Sequence, residues 1–104
     1  MQIAEVEKAQ KLTTEALKWS PIQFAAKKKE LEKTNTLADQ VLDKKFEELN
    51  IGVPAEVVSL RAEAKQLFEK AAKMFKVEPA KEACAKLLES WEHSLKALEA
   101  AAKA

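Results

Sequence analysis

The sequence predicts an all-α fold, an antiparallel up-down four-helix bundle formed as one domain over residues 1–104. Ala, Glu, Lys, Leu and Arg make up well over half of the chain, a composition typical of long helices. The chain holds one glycine and three prolines, and each proline stands where a helix would begin. Residues that favour strands are sparse, so no sheet is expected.

The three prolines divide the chain into its helices. Pro21, Pro54 and Pro79 each suit a first helical turn, because the missing N–H of proline would be unpaired there anyway. Apolar residues recur at helical spacing in every segment, and the connections of one to four residues favour antiparallel neighbours. The predicted helices span 3–19, 21–50, 54–77 and 79–103.

The helix ends carry recognisable caps. Ser20 with Gln23 forms a predicted capping box, in which each residue satisfies the backbone N–H of the other. Gly52 can take a left-handed conformation without cost, so we expect it to end the second helix ahead of Pro54.

The second helix is open to two interpretations. Thr34, Asn35 and Thr36 are poor helix formers, and Thr36 with Asp39 resembles a second N-cap, which would split or kink the helix. No glycine or proline marks a break, which favours a continuous helix.

A continuous second helix would be longer than its first partner, and the bundle would be lopsided. At the end of the bundle beside Ser20, here called the near end, four helices meet. This end is expected to hold Trp19, Phe24, Met74 and Phe75. The far end would be a three-helix core of Val41, Leu42, Phe46, Leu49, Val57, Leu60, Leu95 and Leu98. The uncovered face could pair with a second copy, so the chain is expected to be a monomer or a homodimer.

Charge argues against nucleic acid and membrane partners. The chain has 18 Lys and Arg against 17 Asp and Glu, and the basic run Lys27–Lys29 is followed directly by Glu30. Arg61 is the single arginine, although arginine is the residue most used for phosphate and base contacts. With no signal peptide and no apolar span, the chain is expected to be soluble, cytoplasmic or recombinantly expressed, and not secreted.

The reactive side chains are isolated. Cys84 falls on the apolar stripe of the fourth helix, where a small buried hydrophobe is expected, and His93 is about 13 Å along the same helix, too far for a dyad. One histidine also excludes a di-iron site built from two Glu-x-x-His pairs. We therefore predict no metal and no cofactor, and the absence of a catalytic motif argues against an enzyme.

One group of residues hints at a site. The polar residues Gln10, Thr13, Lys28 and Asn35 fall at core positions of the first and second helices, and small residues nearby would leave room. They predict an interior pocket between helices one and two, in which Lys28 could form a Schiff base. The alternative is that all four residues lie at the loose edges of these helices and touch water.

The chain resembles de novo designed helical bundles. It ends in Glu99-Ala100-Ala101-Ala102-Lys103, the unit of engineered helical spacers, uses Lys almost to the exclusion of Arg, and places proline at helix starts. The resemblance is one of style and carries no functional residues. Residues 34–36 and the free Cys84 depart from it, and a natural bundle remains an alternative.

Three functions follow from these observations. The first is a designed or structural scaffold without evident natural activity. The second is a small-molecule-binding or designed catalytic bundle with the pocket described above. The third is a helical domain that binds another protein through an exposed apolar face.

Overall fold

The computed structural model describes residues 3–103, which form four helices and no strand. The all-α four-helix prediction is confirmed. The observed elements are α1 (Ala4–Ala16), α2 (Pro21–Glu48), α3 (Ala55–Met74) and α4 (Glu78–Lys103). In the described part of the chain, no helix is apolar over enough of its length to cross a membrane.

The start of α2 matches the predicted capping box. The Gln23 backbone N–H donates to Ser20 Oγ at 3.2 Å, and the Ser20 N–H donates to Gln23 Oε1 at 2.9 Å. Two N–H groups that the helix leaves unpaired are thus satisfied, and Pro21 follows at the first helical position.

Helix α2 is continuous through residues 34–36, so the split alternative is wrong. Asn35 is buried on the same face as Leu31 and Ala38, and this burial outweighs the weak helix propensity of the segment.

The end of α2 corrects the expectation for Gly52. Asn50 takes the left-handed conformation with φ 54°, and Gly52 has no positive φ. The Ile51 N–H donates to the Phe46 carbonyl at 3.1 Å and the Asn50 N–H to Glu47 at 3.0 Å, which is the Schellman pattern. Asparagine is the residue besides glycine that visits this conformation routinely, so the cap falls two residues before Gly52.

The end of α3 places an aromatic residue in the same strained conformation. Phe75 has φ 54° and ψ 37°, and the Lys76 N–H donates to the Ala71 carbonyl at 3.2 Å. The Phe75 side chain is 95% exposed, so the prediction that it fills the near-end core is wrong. Met74, 45% exposed, lies outside that core as well. The helix ends at Phe75, whose side chain stays outside the core.

Helix α4 is the centre of the bundle. It packs against α1, α2 and α3, and α1 packs against α2. By contrast, no Cα atom of α2 comes within 8 Å of one in α3 over the described residues 3–103. Trp91 of α4 is fully buried, so the core is built around this helix while α2 and α3 stand apart.

Half of the residues predicted for the far-end core are fully buried, whereas Leu49, at 37% exposed, lies outside the core. Leu42, Phe46, Val57 and Leu98 are at most 1% exposed. Ile3, the residue before α1, lies in a surface depression with Val41. Helix α1 has 13 residues against 28 in α2, so the predicted short first helix and long second helix are confirmed.

The two left-handed residues give a matched test of backbone strain. A non-glycine residue in this conformation costs about 1–2 kcal/mol, and Asn much less than Phe. Since the Phe75 ring is almost fully exposed, Phe75→Gly should raise the free energy of unfolding by about 1 kcal/mol in urea denaturation. Asn50→Gly should change it by only a few tenths. Equal effects of the two substitutions would show that Phe75 is not strained.

Candidate functional site

The separation of α2 from α3 leaves a groove between them, here called the α2–α3 groove, with α4 as its floor. The groove contains two cavities that share Phe68. The apolar cavity, of about 220 Å³, is lined by Phe24, Lys28, Phe68, Ala71, Phe75 and Ala80 among others. The polar cavity, of about 450 Å³, includes Asn35, Asp39, Arg61, Ala64, Phe68 and Leu87 in its walls.

A polar network crosses the groove at the polar cavity. The Trp91 indole N–H donates to Asp39 Oδ1 at 2.9 Å, and Arg61 Nη1 donates to Asp43 Oδ1 at 2.8 Å. Arg61 Nε lies 3.4 Å from Asp39 Oδ1. The network therefore joins α2, α3 and α4 through side chains, at a point where the α2 and α3 backbones are apart.

Burial raises the pKa of Asp39 above its ordinary value of 3.8. The Arg61 charge and the Trp91 hydrogen bond oppose this effect, and Asp43 adds to it. Desolvation is the largest of these influences because the carboxylate is drawn in toward the Trp91 indole.

Sequence reasoning missed the role of Arg61. The signal that could have revealed it is that Arg61 is the single arginine of a lysine-rich chain. A planar guanidinium can bind two carboxylates at once, whereas an ammonium group cannot do so with fixed geometry. Asp39 and Asp43, four residues apart on α2, present that pair of carboxylates on one helix face.

The structure brings two of the four predicted site residues together. Thr13 Oγ1 donates to Asn35 Oδ1 at 2.9 Å, with both side chains buried. The Asn35 Nδ2 group has no hydrogen-bond partner. Thr13 thus holds one end of the amide toward α1, and Asn35 is also one of the residues that line the polar cavity.

Gln10 and Lys28 do not join this pair. Gln10 is half-buried, and its backbone carbonyl accepts a hydrogen bond from Thr14 Oγ1. Lys28 is half-buried at the apolar cavity. The cavities that Lys28 and Asn35 line lie between α2 and α3, whereas we expected one pocket between helices one and two. The ligand-binding role of these four residues stays a prediction.

Cys84 has the buried environment that the sequence predicted, and His93 lies on the surface of the same helix. Cys84 is fully buried, and desolvation raises the pKa of its thiol to about 12, so the reactive thiolate is scarce at neutral pH. His93 is exposed, with Nδ1 3.3 Å from Glu56 Oε2. Over residues 3–103, no three His, Cys, Asp or Glu side chains are grouped so as to hold a metal ion.

Comparison of the chain with protein-family models, with curated proteins and with solved structures found no match.

The bond between Thr13 and Asn35 can be tested by removing one partner and then both. Thr13→Val keeps the side-chain shape but leaves the buried Asn35 amide wholly unpaired, which should lower the free energy of unfolding by about 1–3 kcal/mol. Adding Asn35→Leu should restore most of that loss, because neither position then carries a buried polar group without a partner.

Chemical denaturation measures both changes, and Thr14→Val is the matched control on the exposed face of α1. We expect the control to shift stability by no more than about 0.5 kcal/mol. A double variant that is less stable than Thr13→Val would contradict the assignment.

Proposed function

We propose that this chain is a non-catalytic binding module that takes small apolar molecules into the α2–α3 groove. The observation that carries the proposal is the separation of α2 from α3, which leaves the aromatic rings of Phe24 and Phe68 beside an accessible cavity. Pockets that bind small ligands are concave and mostly apolar, with a few polar groups placed at one side. The two cavities, joined at Phe68, have that arrangement.

The size of the apolar cavity supports a ligand as large as one aromatic ring. Its volume is about 220 Å³, and an apolar cavity of about 150 Å³ is sufficient to bind benzene in another helical protein. Ala71 and Ala80 provide the room, because a larger side chain at either position would occupy the space between α3 and α4.

A non-catalytic role is supported by the isolation of the reactive side chains. The Cys84 thiol is buried with a raised pKa, and the exposed His93 is paired with Glu56 rather than with a nucleophile. Lys28 and Lys76 line the apolar cavity and Lys65 lines the polar cavity, and Lys28 is the one that the sequence singled out. A Schiff base there is the catalytic alternative, and borohydride trapping of a bound aldehyde would reveal it as a mass increase.

A protein partner is the second candidate. Phe75 is 95% exposed, Ile22 82% and Met74 45%, so large apolar side chains lie uncovered at one end of the bundle. Exposed apolar clusters of this kind favour contact with another protein surface.

Origin by design remains a prediction. The capping box at Ser20 and the short helix connections favour it. The left-handed Phe75 and the unpaired amide of Asn35 are features that an idealising designer avoids.

Toluene is a direct probe of the apolar cavity. A ligand that binds only the folded state at ten times its Kd adds about 1.4 kcal/mol to the free energy of unfolding, a Tm increase of roughly 5–10 °C for a domain of this size. Ala72 lies at the wall of the cavity on an exposed part of α3. Ala72→Phe should fill the cavity and abolish the toluene-induced Tm increase.

Ala62→Phe is the matched control, since Ala62 is an exposed alanine of the same helix outside the walls of both cavities. It should keep the toluene-induced increase. A wild-type Tm that does not respond to toluene, or a response that Ala72→Phe leaves intact, would refute binding in the apolar cavity.

A further inference from the structure

The charged residues in the walls of the apolar cavity are both lysines. Lys28 belongs to α2, and Lys76 follows Phe75 in the connection between α3 and α4. None of the described residues that line this cavity is acidic. The polar cavity differs, since acidic residues such as Glu32 and Asp39 line it beside its cations. The apolar cavity therefore has positive charge in its walls that no wall carboxylate balances.

Neither lysine is engaged by another side chain of the protein. Over residues 3–103, no ion pair and no side-chain hydrogen bond involves Lys28 or Lys76. Lys76 is exposed and Lys28 is half-buried, and the buried side-chain nitrogens without a partner belong to Asn35 and Arg61 instead. Both ammonium groups are thus accessible to a ligand that arrives from solvent.

Local backbone structure places each lysine beside an apolar wall residue. Lys28 comes four residues after Phe24, so the two share one face of α2, and both line the cavity. The Lys76 N–H donates to the carbonyl of Ala71, another wall residue, at 3.2 Å. The long flexible stem of a lysine packs along apolar surface while its ammonium group stays in water. Both ammonium groups can therefore approach the rim of the cavity.

We infer that the ligand of the α2–α3 groove is a small carboxylate whose apolar body is about the size of one aromatic ring. The inference rests on the proposed function and specifies its ligand. The body occupies the apolar cavity of about 220 Å³, and the carboxylate stays at the rim, within reach of Lys28 and Lys76. Because the rim is in contact with water, the carboxylate keeps part of its hydration and avoids the cost of a buried charge.

The surface beside the cavity has the same sign of charge. A depression that shares Pro21, Phe75 and Lys76 with the cavity adds Lys70 and Glu78 to its walls, so its cations outnumber its acid. A cationic ligand would be repelled by these lysines. Phosphate sites commonly add helix N-terminal N–H groups or arginine forks to their lysines. The described cavity walls hold no arginine, so the single charge of a carboxylate suits the two ammonium groups better.

Three probes with the same phenyl ring and a chain of the same length isolate the charge. 3-Phenylpropanoate is the anion, 3-phenylpropanamide is a neutral molecule of nearly identical shape, and 3-phenylpropan-1-amine is a cation at neutral pH. Each is titrated at low ionic strength into the ¹⁵N-labelled chain, and Kd values are taken from backbone amide chemical shifts. The Ala71 and Ala72 signals report contact with the cavity walls.

We expect the carboxylate to bind about fivefold more tightly than the amide, the gain of two partly exposed ion pairs. The amine should bind more weakly than the amide. In about 0.5 M NaCl the preference for the carboxylate should fall below about twofold, because salt screens accessible charges. The Kd of the amide should change little.

A pair of double variants locates the preference at the two lysines. Lys28→Gln/Lys76→Gln should reduce the preference for the carboxylate to less than about twofold and leave the Kd of the amide unchanged. Lys29→Gln/Lys73→Gln is the matched control, since it removes the same two charges from exposed positions of α2 and α3 outside the walls of both cavities. The control should keep the fivefold preference. An equal loss in both double variants would attribute the preference to net charge and overturn the inference.

The remaining outcomes separate this inference from the proposed function. If toluene raises the Tm but the carboxylate binds no more tightly than the amide, the groove binds apolar molecules and the carboxylate inference is overturned. If neither toluene nor any probe binds, both proposals fail. Carboxylate binding that persists in Ala72→Phe would place the anion outside the cavity and overturn the inference. A dimer in sedimentation analysis that Ala72→Phe disrupts would show that a second copy fills the cavity, which would overturn it as well.

Discussion

The hydrogen bond from the Trp91 indole N–H to the Asp39 carboxylate determines how the four helices are held around α4. Trp91 is the largest fully buried side chain, and its single polar atom needs a partner. Asp39 of α2 provides one, and Arg61 of α3 then lies against the same carboxylate. Long polar side chains thus connect α2 and α3 where small apolar ones would have drawn the helices together, and the groove stays open between them.

The polar network between α2 and α3 lowers the stability of the fold and leaves the groove between these helices open. A buried carboxylate with a raised pKa and donors without partners both cost free energy relative to a fully packed apolar core. The remaining interfaces compensate: α4 buries Cys84, Leu87 and Leu98 against its neighbours.

Much of the fold could be predicted because it depends on local rules. Prolines mark helix starts, the Ser20 capping box needs only residues three apart, and apolar spacing identifies the buried faces. The left-handed Phe75 could not be predicted, since propensity rules place glycine or asparagine at such a turn. Helical phase indicated core positions for Thr13 and Asn35, which are buried, but the hydrogen bond between them was not predicted. The groove was missed because it depends on the distance between α2 and α3, which sequence spacing does not specify.

The most direct test of this account follows the Trp91 indole proton by NMR as the pH is lowered. If its partner is the Asp39 carboxylate, the signal should shift with a midpoint above 3.8, the ordinary pKa of aspartate. The second indole, of Trp19, is the internal reference, and Trp91→Phe assigns the signals. Asp39→Asn should abolish the titration of the Trp91 signal. An indole signal that does not titrate, or that titrates unchanged in Asp39→Asn, would contradict the central role of this hydrogen bond.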